Sequence, residues 1–284
     1  MNTFFPSPLL VHAGEALHHA DWNWKGVRSP FLRLYYVTEG EARVEMESCT
    51  LNLQPDHLYL IPAFTTHNYV CSTVFRHYYL HVYDERESQV DELLALSKPS
   101  ERSAHHIDLA LFRRLCHLNP TLSLQSSNPE SYDNHAILLR NIETSRNKPL
   151  SVALETKGIL QVLMSRFINN DTVGQFNNID SRIQDAIHFI YQRLSSSLTL
   201  TKLASEACMS KDHFIRLFRQ STGTTPTRYI TLQRMHRAET LLISTNNAVK
   251  SIAMSLGYDD VSYFTRVFRS VVGFTPLQYR EARV

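Results

Sequence analysis

Phe214-Ile215-Arg216-Leu217-Phe218-Arg219 recurs fifty residues later as Phe264-Thr265-Arg266-Val267-Phe268-Arg269. The copies stay in step beyond that point. Gly223, Thr225-Pro226 and Tyr229 follow the first, and Gly273, Thr275-Pro276 and Tyr279 follow the second, each shifted by 50. A common shift over so many positions marks one supersecondary unit used twice. Phe214, Leu217 and Phe218 lie at helical spacing, and Phe264, Val267 and Phe268 repeat that stripe. Gly223 and Gly273 stand where a helix needs a left-handed stop residue. Each Thr-Pro pair then offers an N-cap hydroxyl and a proline at the first helical position.

A further short helix is expected ahead of each stripe. The first is Leu200–Ala207, capped by Thr199 and turning at Cys208-Met209-Ser210; the second is Val249–Leu256, turning at Gly257-Tyr258-Asp259-Asp260. Leu203-Ala204 matches Ile252-Ala253 with a shift of 49, so the second turn is read as one residue shorter, or its helix as starting one residue later. Two short helices joined by a tight turn form a helix-turn-helix, here twice, at about 199–220 and 248–270. Charge supports a nucleic-acid partner. Residues 180–284 carry 14 Lys and Arg against 8 Asp and Glu, while residues 1–179 carry 15 against 19. The whole-chain charge of +2 therefore hides a basic module joined to an acidic one.

Residues 180–284 resemble the DNA-binding domain of the arabinose-regulator (AraC/XylS) family of bacterial transcription factors. The resemblance rests on Arg234-Met235, Ala238-Glu239, Ile252-Ala253, Gly257-Tyr258, Phe264, Phe268 and Gly273-Phe274-Thr275-Pro276. It implies a seven-helix, all-α domain whose two helix-turn-helix units are bridged by one long helix, here Thr227 to about Ile243. Ile230, Leu232, Met235, Ala238, Leu241 and Leu242 give that bridge apolar positions every three or four residues.

The N-terminal half of each recognition helix is expected to meet base edges with the face not committed to the core. With the family as a guide, that face is Lys211, Asp212, Ile215 and Arg216 in the first unit, and Asp260, Val261, Ser262, Thr265 and Arg266 in the second. Arg216 and Arg266 are the candidates for guanine, whose O6 and N7 match a guanidinium fork; phosphate contact or plain exposure is the alternative for each. Arg219 and Arg269 are read as phosphate contacts, which give affinity without sequence information.

Residues 31–83 read as β. Glu41-Ala42-Arg43-Val44-Glu45-Met46-Glu47 alternates charged and apolar residues, and Leu58–Pro62 and Val74–Tyr83 add strands. Short strands at this spacing suggest a sandwich or small barrel. Gly40, Pro55-Asp56, Ile61-Pro62 and His67 resemble the cupin-like sensor half of the same family. The fold expected is thus α+β in two domains, a cupin-like β-barrel sensor with linker helices followed by the helical DNA-binding domain. The segment before residue 31, with Phe4, Phe5, Pro6, Pro8, Trp22 and Trp24, reads as neither strand-like nor polar. The resemblance implies an arm over an effector pocket; simple cover for the barrel is the alternative.

Metal-dependent cupins commonly supply an H-x-H pair, a Glu and a later His. Here the first region is Phe31–Tyr36 without histidine, and His67 stands alone, so neither metal nor other cofactor is expected. Side chains two apart on a strand share a face, which places His77, Tyr79, His81 and Tyr83 together. His77, Tyr79 and His81 could line a polar ligand pocket, or lie on a partly exposed face. Cys49, Cys71, Cys116 and Cys208 have no C-x-x-C spacing, and reduced thiols in the cytosol are the default. No signal-peptide pattern and no run of 18 apolar residues is found.

Domains are accordingly expected at 1–103 (sensor with arm), 104–170 (helical linker), 171–179 (a polar flexible linker) and 180–284 (DNA binding). In the linker, Ala136, Leu139 and Ile142, then Ile159, Leu160, Leu163, Met164 and Phe167, fall on helical stripes. The resemblance implies a homodimer contact there, and packing on the chain's own barrel competes with it. The functional expectation is a cytoplasmic, non-enzymatic, sequence-specific transcriptional regulator, an activator answering to a small polar metabolite such as a sugar, with RNA polymerase as a further partner. The alternatives are a regulator whose barrel only dimerises, and a cupin enzyme fused to a DNA-binding domain.

Overall fold

In the computed structural model, residues 8–84, 96, 98–168 and 180–281 are described. The 171–179 linker and Phe4, Phe5 and Pro6 of the arm lie outside them. Internal contacts divide the chain into two compact units, the second taking in Asn170–Val284.

The first unit is β-rich. Its strands are β1 (Pro8–His19), β2 (Leu32–Gly40), β3 (Ala42–Met46), β4 (Thr50–Leu53), β5 (His57–Ile61), β6 (His67–Val70), β7 (Val74–Asp84) and β8 (Ser100–Ser103). They form a five-stranded sheet in the order β1-β7-β2-β5-β8 and a three-stranded sheet β4-β3-β6. The sheets are separate rather than closed on one another. Part of the segment before residue 31 is strand: β1, which includes Pro8, pairs along its length with β7, while Trp22 and Trp24 follow it outside the sheet. A bulge between Leu10 and His12 interrupts its alternation, which is why the period of two was hard to see.

Alternation along β2, β5 and β7 gives the larger sheet two inner faces. Leu32, Leu34, Tyr36, Leu58, Leu60, Leu80 and Val82 pack under the helices α1 (Asp108–Leu118) and α3 (Leu150–Ser165), against Phe112, Leu115, Leu160 and Leu163. Tyr35, Val37, Tyr59, Ile61 and Phe75 face the smaller sheet across a second core with Val44, Leu51, Leu53 and Tyr69. The helix α2 (His135–Arg146) lies along β1. There Asn141 Nδ2 donates to Val11 O at 3.0 Å and Ser145 Oγ donates to Leu10 O, so the carbonyls at the bulge are satisfied. The buried stripe of α2 is thus Leu138, Asn141, Ile142 and Ser145, whereas Ala136 is exposed and Leu139 only half-buried. Leu160, Leu163, Met164 and Phe167 of the second expected stripe do go inside, but onto the chain's own sheet. The opposite face of α3 leaves Leu150, Leu154 and Val162 exposed.

The second unit contains seven helices among its described residues: α4 (Ser181–Gln192), α5 (Leu200–Glu206), α6 (Lys211–Thr222), α7 (Pro226–Ser244), α8 (Val249–Ser255), α9 (Val261–Val272) and α10 (Pro276–Glu281). Thr199 caps α5 through a bond from Lys202 N, Ser210 caps α6 from His213 N, and Gly223 and Gly273 end α6 and α9 at φ 77° and 92°. The Thr-Pro pairs differ from expectation. Thr275 Oγ1 accepts from Gln278 N at 3.3 Å, while Thr225 makes no side-chain cap bond. The turns also differ. Cys208 and Gly257 are the left-handed residues, at φ 52° and 75°, and the caps are Ser210 and Asp260, so the second turn is one residue longer, not shorter.

Phe214, Phe218, Phe264 and Phe268 are fully buried, and α7 buries Ile230, Met235, Ala238, Leu242 and Ile243 between the two helix-turn-helix motifs. Arg234 of α7 donates to Leu194 O at 2.9 Å and Ser196 O at 2.7 Å, and its guanidinium lies 5.3 Å from the Tyr258 ring. A Cβ on Gly257 would come within 2.8 Å of Ser195 O. Backbone of the second turn thus sits directly on the loop before the first helix-turn-helix, and the two helix-turn-helix motifs are held in one arrangement.

Candidate nucleic-acid interface and ligand cavity

Burial of the phenylalanines fixes which faces of α6 and α9 remain outside. Lys211, Asp212, Arg216 and Arg219 are exposed on α6, and Ile215 is half-buried. On α9, Ser262, Arg266 and Arg269 are exposed, and Val261 and Thr265 are half-buried. Asp260 is exposed at the cap, where its Oδ1 accepts from Ser262 N at 2.7 Å and Tyr263 N at 3.2 Å, so that oxygen is committed to the helix. The matching position in the first unit is Ser210, not an acid.

Two residues on these faces were missed in the sequence. His213 and Tyr263 are exposed and occupy the same position in the two copies. Arg216 Nη2 lies 3.1 Å from His213 Nδ1, and the Arg266 guanidinium lies 5.9 Å from the Tyr263 ring. Each arginine singled out for guanine is accompanied by a ring three residues earlier. The signal was in the repeat itself, since 213 and 263 differ by the same 50.

The β-rich unit holds a cavity of about 210 Å³. His77, Tyr79 and His81 line it, together with Trp22, Tyr35 and Tyr132. The sequence placed the first three on one face, and they do share it; that face is buried, not partly exposed. Trp22 stacks on Tyr69 with ring centroids 3.9 Å apart, and Tyr35 Oη lies 2.7 Å from Tyr69 Oη. Gly14 gives the Tyr79 ring its place: a Cβ there would fall 2.3 Å from Tyr79 Oη, which accepts from Leu124 N at 2.8 Å. Glu15, Asp21, Gln125 and Ser126 are exposed members of the lining and form its rim.

Burial governs the electrostatics. It pushes His12 down to about 3, helped by the charge of Arg33, and His67 likewise to about 3. His77 and His81 are also held well below the ordinary histidine value, by burial first, then by the neighbouring His18 and Arg33 respectively. The imidazoles are therefore neutral at pH 7, each with one donor and one acceptor nitrogen. Arg33 and His12 were not anticipated as interior groups. An arginine in phase with Tyr35 and Val37 on one strand was the available sign. Among the described residues, no group of three or more His, Cys, Asp or Glu is placed to hold a metal ion, and no helix is long and apolar enough to cross a membrane.

A family model described as a helix-turn-helix domain matches residues 203–282. The arabinose operon regulatory protein of Salmonella typhimurium is 32% identical over 103 residues, which is 36% of this chain and 37% of that protein. The HTH-type transcriptional activator RhaS of Escherichia fergusonii is 25% identical over 52% of this chain and 53% of its own length. The first three curated relatives are matched over only 34 to 37% of their length. These relatives carry the names of transcriptional regulators and activators. The solved structure of ToxT from Vibrio cholerae aligns over 96% of this chain and 99% of its own, with a TM-score of 0.50 at 12% identity, a likeness of fold alone. The duplicated helix-turn-helix, the capped and glycine-stopped recognition helices and these relatives agree: residues 203–282 form a helix-turn-helix domain similar to those of AraC-type transcriptional regulators.

Proposed function

We propose that the chain is a sequence-specific, double-stranded-DNA-binding transcriptional regulator whose N-terminal unit is a cupin-like sensor for a small polar effector. The observation that carries the reading is the pair of matched recognition helices, α6 and α9, with arginines exposed at equivalent positions and their frame fixed by α7. Two such helices, about one duplex turn apart, would enter successive major grooves. Arg216 and Arg266 read guanines; Lys211, Asp212, Ile215, Val261, Ser262 and Thr265 fill out the base-facing surface; Arg219 and Arg269 meet phosphates. Asp260 acts mainly as the cap of α9.

The cavity supports effector binding through His77, Tyr79 and His81, with a sugar among the candidate ligands. An effector acts only by binding one arrangement of the chain better than another. The exposed Leu150, Leu154 and Val162 on α3 support homodimerisation. Activation through contact with RNA polymerase, and residence in the cytoplasm, belong to the same reading.

The test is a mobility-shift titration of the full chain on its own upstream region and on random DNA of equal length. Preference for the upstream region is the expected result. Arg266→Ala should reduce that preference by about 1–3 kcal/mol, with little change on random DNA. Equal weakening on both DNAs would make Arg266 a phosphate contact. Absence of binding at low salt would end the reading.

A further inference from the structure

His213 and Arg216 stand on the exposed face of α6, three residues apart, and are therefore neighbours on the helix surface. The backbone under His213 is fixed from both sides. Its N–H is the one that Ser210 Oγ caps, and the next residue, Phe214, is fully buried. Arg216 Nη2 donates to His213 Nδ1 at 3.1 Å. That bond settles the tautomer: a nitrogen that accepts carries no proton, so the N–H of the ring is at Nε2.

What the bond does follows from the shape of a guanidinium. Nη2 carries two hydrogens, one on the edge shared with Nε and one on the edge shared with Nη1. Whichever of them His213 takes, the other edge keeps two parallel N–H groups, the arrangement that matches O6 and N7 of guanine. At an exposed site such a bond adds little stability, because water would serve the same groups. It does remove rotational freedom from a long side chain before DNA arrives, freedom that would otherwise be lost on binding. The second copy is built differently. Tyr263 stands in the place of His213, and the Arg266 guanidinium lies 5.9 Å from its ring. A ring face attracts a cation without fixing which edge points outward.

We propose that His213 is a positioning residue for base reading: it holds Arg216 with one two-donor edge turned to a guanine, and so sets how strictly that guanine is chosen. This rests on the reading of the chain as a sequence-specific DNA-binding regulator and adds a residue that acts through another side chain.

The experiment is a set of competition mobility-shift titrations with the full chain. The DNAs are its own upstream region, copies of the bound segment with each G·C pair replaced in turn by A·T, and random DNA of equal length. Arg216→Ala identifies the pair that Arg216 reads, as the one whose replacement then costs nothing; the wild-type preference there should be about 5- to 150-fold. His213→Phe keeps a ring and removes the acceptor. It should lower that preference about threefold or more, with binding to random DNA within about twofold and the thermal midpoint unchanged. His213→Asn places an oxygen where Nδ1 stood and should restore the preference. Added to Arg216→Ala, His213→Phe should cost nothing further at that pair. A fall by the same factor on upstream and random DNA would make His213 a phosphate contact. Full preference in His213→Phe, or a loss in His213→Asn as large as in His213→Phe, would overturn the positioning role. In each of these cases the regulator reading stands, because the wild-type chain still prefers its upstream region. If no G·C pair depends on Arg216, the proposal fails together with the base-reading role of that arginine. A wild-type chain without upstream preference would overturn the proposal and the regulator reading together.

Discussion

The C-terminal unit fills its core with phenylalanine, and the N-terminal unit fills much of its interior with histidine, tyrosine and one arginine. Phe214, Phe218, Phe264 and Phe268 are buried at equivalent places in two copies of one motif, and the ring pairs sit 5.5 and 5.9 Å apart. Such a core needs no partners beyond shape. His12, His67, His77, His81 and Arg33 are as deeply buried, yet each leaves a polar atom unpaired or has a depressed basicity. Buried polar atoms without partners cost stability. The first region holds two helices in fixed relation, and the second keeps polar groups away from water.

The largest expected effect tests the apolar side of this contrast. Phe268→Ala should destabilise the C-terminal unit by about 3–5 kcal/mol, and Phe218→Ala should match it because the copies are equivalent. Urea unfolding followed by circular dichroism measures both; a cost below about 1 kcal/mol for either would break the equivalence.

Acid tests the polar side. His12 and His67 are neutral when folded, with values near 3, and take up protons on unfolding below their ordinary value of 6.5. Their contribution is therefore intact above pH 6.5 and is lost as pH falls toward 3, at about 1.4 kcal/mol per pH unit for each group. The C-terminal unit has no buried histidine among its described residues. Thermal scans between pH 7 and 4.5 should show the N-terminal transition falling more steeply. Parallel decline of both transitions would remove the histidines as the cause.

A smaller effect separates the two capping patterns. Ser210→Ala should cost about 1 kcal/mol, because its Oγ accepts from His213 N, whereas Thr225→Ala should be near neutral. The smallest effect is the most telling about the interior. His77→Phe replaces an unpartnered imidazole among stacked rings and should change stability by less than about 1 kcal/mol. A loss of several kcal/mol would mean that His77 is structural and that the cavity has less to do with recognition.

Much of the helical unit was legible because its determinants are local. Leu203-Ala204, the phenylalanine pairs and Gly223 and Gly273 each act within a turn or two of their own position, and repetition at 50 doubled the signal. What went astray there was small and geometric: the length of the second turn, and a threonine that stands at a cap without bonding to it. The N-terminal unit was harder. β1 does not show as a strand in the sequence because its bulge breaks the alternation, and the buried stripe of α2 does not follow apolar spacing because it includes Asn141 and Ser145, which only the β1 carbonyls explain. His77, Tyr79 and His81 were placed on one face correctly, since strand periodicity requires it.

Sequence by itself determined the duplicated helix-turn-helix, the residues that face outward on its recognition helices, and the β character of residues 31–83, because spacing and capping are properties of neighbouring residues. Only the tertiary structure decided that β1 completes the sheet, that the apolar stripe of α3 turns to its own domain and leaves Leu150 and Leu154 outside, and that Arg33 lies buried beside the cavity. Those outcomes depend on which strands pair and in what register, and pairing partners such as Arg33 and His81 are 48 residues apart (81 − 33), beyond the reach of any local pattern.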